Sequence, residues 1–266
     1  MTTTADVRKR FLEDYRRIRH AEGRGSQDSE YYRALPSCNR SDLNAGMWAM
    51  RAKTYSYFVR NVLACFEKRS EAPLDVLDLG AGNCWLCHRL ALRGHRLMAV
   101  DIFNDERDGL RAARHYPAAF QALEADFDDL PLPSQRFDLA IFNASFHYSV
   151  NYVRTLSEVR RCLRPSGSVV ILDSPIYRLR EHGMRMVEEK HAAFRKRYGF
   201  PSDSLSSIDF LDIGTLKQLQ HTLHLDWQIL KPWYGWNWHL RPVKAFLRGR
   251  RPPSKFWILI GTFRDL

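Results

Sequence analysis

Val76-Leu77-Asp78-Leu79-Gly80-Ala81-Gly82-Asn83-Cys84 decides the fold. An apolar run of strand character enters a glycine-rich turn, and a helical pattern follows it, which is the layout of a nucleotide-type binding loop. A dinucleotide fingerprint of the form GxGxxG would place its third glycine at position 85, where this chain has Trp85. A closely approaching pyrophosphate is therefore not expected.

Two further acidic positions follow at the spacing an adenosyl ligand needs. Leu97 to Val100 reads as a second strand ending at Asp101, about 20 positions after the glycine turn, where a carboxylate binds a ribose diol in such folds. Ala125-Asp126-Phe127 supplies a third strand-end acid, placed to accept from an adenine amino group. The runs Phe137-Asp138-Leu139-Ala140-Ile141-Phe142-Asn143 and Leu163-Arg164-Pro165-Ser166-Gly167-Ser168-Val169-Val170-Ile171 come next. In this order the motifs resemble the class I S-adenosylmethionine-dependent methyltransferases, nearest to the type 11 branch that includes the ubiquinone and menaquinone C-methyltransferases. The resemblance covers about residues 74 to 175.

The resemblance implies an α/β fold: a Rossmann-like, seven-stranded, mostly parallel sheet with helices on both faces, an antiparallel last strand and an N-terminal helical extension lying over the cofactor. It implies S-adenosyl-L-methionine as cofactor, held by Asp78, Gly80, Ala81, Gly82, Asp101, Ile102, Asp126, Phe127 and Asn143, with Arg51 offering a guanidinium fork to the methionyl carboxylate. The sequence departs from the family pattern where the third loop glycine falls, at Cys84. A small side chain is expected to fit there, because that outer glycine serves helix-to-strand packing.

Methyl transfer from a sulfonium is an in-line displacement, so positioning is the protein's main task. For a protic acceptor the candidate proton acceptor is His147, just past the fourth strand, with Tyr148 beside it to orient the acceptor. Tyr31 and Tyr32, in a polar stretch from Ala21 to Arg40 that reads as a mobile loop, are placed to close over the site. No metal-ligand spacing stands out, so metal catalysis is not expected. Cys84-Trp85-Leu86-Cys87-His88 matches the C-x-x-C-H haem-attachment pattern, but it opens a helix that must pack on the sheet, and no haem or redox role is assigned.

At 266 residues the chain accommodates one sizeable α/β domain with decoration: an N-terminal helical extension over 1–70 and the methyltransferase domain over 71–266, with a helical cap at 179–222 and terminal strands at 223–266. Val7, Phe11, Tyr15 and Ile18 form the apolar stripe of a lead helix over residues 5–20, and Asn44 to Phe66 reads as a second helix. No run of 18 apolar residues and no secretory signal pattern is present, which places the expectation in the cytoplasm. Five cysteines, Cys38, Cys65, Cys84, Cys87 and Cys162, suit reduced core thiols better than a disulfide framework.

The formal net charge is +11, and Arg241 to Lys255 carries six cations without an acid, beside the aromatic cluster Trp233 to His239. Packing beside the edge strands is the first reading of those rings. Rings joined to cations also favour a small-molecule or lipid-like acceptor with anionic character, and peripheral contact with an anionic surface. Two alternatives stay open at this stage: an RNA acceptor, since nucleic acid is not excluded by the charge, and a non-catalytic relative that binds the cofactor only.

Overall fold

Alternation along the strands sorts the core into two layers, one on each face of a single large sheet. The computed structural model describes residues 4–37, 43–200 and 207–264. Five strands run parallel: β1 (Asp75–Leu79), β2 (Arg96–Asp101), β3 (Gln121–Glu124), β4 (Phe137–Asn143) and β5 (Leu163–Leu172). Two more, β6 (Leu225–Leu230) and β7 (Ile258–Phe263), complete the order β3-β2-β1-β4-β5-β7-β6, with β7 antiparallel to both its neighbours. The expected seven-stranded, mostly parallel sheet is therefore present. Its order reverses between β1 and β4, and in such sheets the carboxyl ends of the strands beside that reversal open a crevice for a ligand.

Val76, Ala99, Leu139, Ile141 and Val170 point to one face, where they pack with Trp48, Phe58, Trp85 and Leu86. Leu77, Leu79, Ala140, Phe142 and Ile171 point to the other, against Leu156, Val159, Leu216 and Leu219. This period-two sorting is what strands buried on both sides require. Helices α3 (Ala45–Phe58) and α4 (Trp85–Ala91) cover the first face, α3 continuing through a π-helical turn at Val59–Leu63 into Ala64–Arg69. Helices α5 (Tyr152–Cys162) and α7 (Ile213–Leu223) cover the second. At the amino ends of the strands, Asp75 accepts from Arg96 at 2.6 Å and Arg164 at 2.8 Å, and Arg164 also reaches Asp138 at 2.6 Å. Those guanidiniums hold the Asp75 carboxyl down at about 2. The end of the sheet away from the crevice is thus tied by charge.

The lead helix α1 spans Thr4–Ala21; the side chain of Val7, one member of its expected stripe, lies outside those described. The stretch read as a mobile loop is ordered around α2 (Ser29–Ala34), which Asp28 caps by accepting from the Glu30 N–H at 2.9 Å; residues 38–40 of that stretch lie outside the described residues. Tyr32 is fully buried, stacked on His115 with ring centroids 4.3 Å apart, and its hydroxyl stands 2.6 Å from the carbonyls of both Ser26 and Arg107. A residue so bonded is part of the core and does not swing over a site. Among the cysteines, Cys84, Cys87 and Cys162 are buried, Cys65 is exposed, and Cys38 lies outside the described residues. No helix among the described residues is long and apolar enough to cross a membrane.

The stretch 179–222, expected as a cap, divides in two. Helix α6 (Arg180–Tyr198) runs beside the crevice, whereas α7 packs on the sheet. Helix α6 approaches Phe210 through Gly183, where a Cβ would meet the Phe210 ring at 2.2 Å. Gly183→Ala is expected to push α6 off Phe210 and to lower stability by about 1–3 kcal/mol. Urea unfolding of the two proteins measures this, and an unchanged midpoint would contradict the tight contact.

Candidate functional site

The glycine turn is held over the ends of β1 and β2 by its own backbone. Gly80 and Ala81 donate their N–H groups to the Val100 carbonyl at 2.8 and 3.1 Å. Gly82 N–H donates to Asp101 Oδ2 at 2.8 Å, while Asp101 Oδ1 accepts from Phe103 N–H at 2.8 Å. Gly80 has φ +70°, and a Cβ there would lie 2.3 Å from Ser145 Cβ, so only glycine lets the β4 exit close on the turn. Ser145 in turn donates to the Leu79 carbonyl at 2.5 Å.

Above this floor lies a cavity with about 960 Å³ of atom-free space, its open mouth included, comparable to pockets that enclose ligands of roughly drug size. Its lining brings together Gly80, Ala81, Gly82, Asp101, Ile102, Asp126, Phe127, Asn143, Arg51 and Tyr148, ten of the residues expected from sequence. Asp128, whose carboxyl is pushed up by burial, and Asp108 add to the acids. Arg51 lies on the Trp48 ring, 5.0 Å from its centroid. Burial lowers its pKa, and the charge of Asp173 works in the opposite direction.

The roof comes from α1. Phe11, Tyr15 and Arg19 recur every four residues, so they form one stripe on the helix face that looks into the cavity. Arg19 Nε donates to Asp108 Oδ2 at 2.6 Å and Arg16 Nε to Asp105 Oδ2 at 3.2 Å, which pins the helix to the loop after β2. Tyr15 stands edge-on to Phe103 and to Tyr148, with centroids 5.0 and 6.2 Å away. Phe11, Tyr15, Arg19 and Tyr148 also line a second cavity, on the far side of this wall, with Ile18, Glu22, Arg24, Lys190, His191, Phe194, Ser207 and Asp209.

Two expected site residues stand away from both linings. Asp78 is buried behind the glycine turn: Cys87 Sγ donates to its Oδ2 at 3.2 Å, its Oδ1 has no partner among the described residues, and burial pushes its carboxyl up to about 7. Its neighbour Asp101 is raised to about 6, again by burial first. His147 is buried with Nδ1 3.2 Å from Ser174 Oγ, and desolvation drives its pKa far below the usual imidazole range against the pull of Asp209. An imidazole held neutral in this way is a poor proton acceptor.

Cys84 corrects the expectation for the loop. It takes φ +62°, a left-handed conformation that costs a residue with a Cβ about 1–2 kcal/mol. The glycine of the family pattern thus answers a backbone need and not packing alone. Burial also raises the Cys84 and Cys87 thiols well above their ordinary pKa, the opposite of an acidified helix-terminal cysteine.

Sequence reading missed Phe11, Tyr15 and Arg19 as site residues, along with Asn83, Phe103, Asp108, Asp128 and Ser145. Arg19 lies four residues after Tyr15 on the inward stripe, which was a usable signal. Asp108 sits in an irregular loop with no periodicity to mark it.

Residues 77–171 match the family model described as a methyltransferase domain. A malonyl-[acyl-carrier protein] O-methyltransferase of Buchnera aphidicola is 28% identical over 144 residues, 54% of this chain and 52% of that protein. An uncharacterized methyltransferase of Mycobacterium bovis is 38% identical over 96 residues, 36% of this chain and 38% of that one. The chain spans about half the length, or less, of the curated relatives it matches. In fold it is similar to a putative S-adenosylmethionine dependent methyltransferase from Listeria monocytogenes, with TM-score 0.53 at 14% identity over 83% of this chain and 100% of that one. A second solved S-adenosylmethionine dependent methyltransferase, from Mesorhizobium loti, gives TM-score 0.51 at 18% identity over 71% and 91%.

The buried acids set a pH dependence. Folded Asp78 titrates at about 7, above its ordinary 3.8, so between these values the native state binds more protons than the unfolded one. Stability from this group therefore falls as pH rises through that window. Asp78→Asn removes the fall: its melting temperature relative to the parent should rise between pH 5 and pH 8. A difference independent of pH would show that Asp78 ionises normally in the folded chain.

Proposed function

We propose, for a chain whose residues 77–171 belong to the class I, type 11 S-adenosylmethionine-dependent methyltransferase domains, that it transfers a methyl group to an anionic oxygen of a small-molecule or lipid-like acceptor held in the second cavity. The observation that carries the reading is the shared wall: Phe11, Tyr15, Arg19 and Tyr148 border both cavities, so two ligands meet there and nowhere else along the linings.

The first cavity fits the cofactor by its chemistry. Asp101, Asp108, Asp126 and Asp128 outnumber Arg19 and Arg51 on its lining, which favours a cation. S-adenosylmethionine, when bound, supplies an electrophilic methyl on a sulfonium. Asp101 accepts from the ribose diol with lone pairs left over from the Gly82 and Phe103 N–H groups, and Asp126 accepts from the adenine amino group. Ile102 and Phe127 offer apolar faces to the base. The Gly80-Ala81-Gly82 backbone admits the methionyl part closely, and Arg51 takes its carboxylate.

The acceptor side follows from what the second cavity offers. Ile18, Phe11 and Phe194 give an apolar surface, and Arg24 and Lys190 bring cations to it, paired with Glu22 at 3.2 Å and Asp209 at 3.0 Å on the same lining, with Arg19 as a third cation. An oxygen that is already anionic needs no base to become a nucleophile, which agrees with the neutral, withdrawn His147. Among the relatives, those named for O-methylation of malonyl-[acyl-carrier protein] point the same way. Tyr148 lies at the boundary and orients the acceptor by its hydroxyl.

Isothermal titration with S-adenosylmethionine and its demethylated product tests the cofactor half. Asp101→Ala and Asp126→Ala should each weaken binding by about 1–3 kcal/mol. Because an ionised Asp101 accepts from the diol more strongly than a neutral one, and burial pushes its carboxyl up to about 6, affinity should fall as pH drops below that value and stay level above it. No binding of either compound would end the proposal. For the acceptor half, incubation of extract with methyl-labelled cofactor should send label into a base-labile ester fraction; label appearing in RNA would sink the acceptor assignment.

A further inference from the structure

The segment between β6 and β7 turns its apolar side outward. Two short helices, Trp236–His239 and Arg241–Leu247, follow one another there. Trp236, Leu240, Val243 and Leu247 recur at spacings of four, three and four, with Phe246 beside them, so they form one helical stripe. That stripe faces solvent: Trp236 is 74% exposed, Val243 54%, Phe246 83% and Leu247 76%. The other side tucks in, with Arg241 over the Trp238 ring and donating to the Ser254 carbonyl at 2.6 Å. Packing beside the edge strands, the first reading of this aromatic cluster, holds for the buried Tyr234 and the partly buried Trp238 but not for Trp233 and Trp236.

Within the segment itself the charge has one sign. No Asp or Glu occurs between Asp226 and Asp265, whereas Lys231, Arg241, Lys244, Arg248, Arg250, Arg251 and Lys255 all do. Lys244, Arg248 and Arg250 are exposed. Exposed aliphatic and aromatic tips flanked by a segment that carries cations and no acid match the apolar interior and anionic headgroups of a lipid bilayer. A nucleic acid would use the cations and the tryptophans but has no counterpart for Val243, Phe246 and Leu247.

We infer that residues 233–255 dock the protein on an anionic membrane surface, with the Trp236–Leu247 stripe entering the headgroup boundary and the flanking cations holding the lipid phosphates. The element is rigidly rooted. Lys53 Nζ donates to the Tyr234 carbonyl at 2.8 Å, the Tyr234 hydroxyl donates to the Phe256 carbonyl at 2.8 Å, and Arg251 bonds Glu189 on α6 at 2.8 Å and the Tyr177 hydroxyl at 3.0 Å. Its roots are thus on α3 and α6, the helices that carry Arg51 of the first cavity and Lys190 of the second. The inference stands independently of methyl transfer, since it is read by binding alone.

Flotation of the full chain with vesicles provides the test. The protein should float with phosphatidylcholine vesicles containing phosphatidylglycerol, and float poorly with phosphatidylcholine alone or in high salt. The Trp236→Ser/Phe246→Ser/Leu247→Ser variant, whose substitutions are all at exposed positions, should lose about tenfold or more in partitioning with an unchanged unfolding midpoint. Lys244→Glu/Arg248→Glu should lose it selectively for the anionic vesicles. The docking assignment fails if the parent does not float with anionic vesicles, or if the triple variant floats equally well. It fails too if the patch is instead covered in a dimer seen by sedimentation, or if a short RNA competes the protein off the vesicles at equal phosphate concentration.

Discussion

The carboxylate of Asp101 is the constraint on which the site depends. It stands at the carboxyl end of β2 and accepts two backbone N–H groups, one from the glycine turn after β1 and one from the loop after β2. These are the two chain segments that must be brought together before a crevice exists at all. Fixing them with one side chain from a strand end makes the cavity floor a property of the sheet and not of the loops. The same group carries the cost, because burial beside Asp108 raises its pKa to about 6. A carboxylate poised in this way gains from any group that donates to it, and its two backbone N–H partners are the donors the structure supplies.

The second constraint is the closure of α1 over that floor. Arg19 and Arg16 bridge to Asp108 and Asp105, and the Asp105 carboxylate also accepts from the N–H groups of Arg107 and Asp108. The lead helix is therefore bonded to a loop that is itself built around carboxylates. Once seated, its stripe of Phe11, Tyr15 and Arg19 divides the space beneath into two cavities. The dividing wall is mostly aromatic, with Phe11, Tyr15 and Tyr148 beside Arg19 on both linings.

Much of the fold was legible because strand periodicity is a local signal. The β4 boundaries, Phe137–Asn143, agree with the sequence, whereas the antiparallel closing pair is what the family resemblance implied. The site was legible where it lies at strand ends, as with Gly80, Gly82, Asp101, Asp126 and Asn143. It was not legible where long-range contacts decide. Tyr32 reads as a loop residue because its stacking partner, His115, is distant in sequence, and the α1–Asp108 bridge spans 89 positions. His147 reads as a catalytic base from its place after β4, yet whether it points into the cavity or away depends on Ser174, which follows the next strand. Asp78 is the subtler case: period two puts it opposite Leu77 and Leu79, on the α4 side of β1 and so behind the turn it precedes.

The aromatic segment near the C-terminus shows how a peripheral element is joined to such a centre. The Tyr234 hydroxyl lies 3.0 Å from Thr54 Oγ1, and Thr54 donates to Asp173 Oδ1 at 2.6 Å. Asp173 is the acid whose charge opposes the lowering of the Arg51 pKa, and Arg51 lines the first cavity. Two hydrogen-bond contacts through the buried Thr54 therefore lead from the root of an outward-facing hydrophobic stripe to Asp173, whose charge acts on a cation in the cavity wall. Arg251 ties the same segment to Glu189 and Tyr177, so it is fastened to α3 on one side and to α6 on the other.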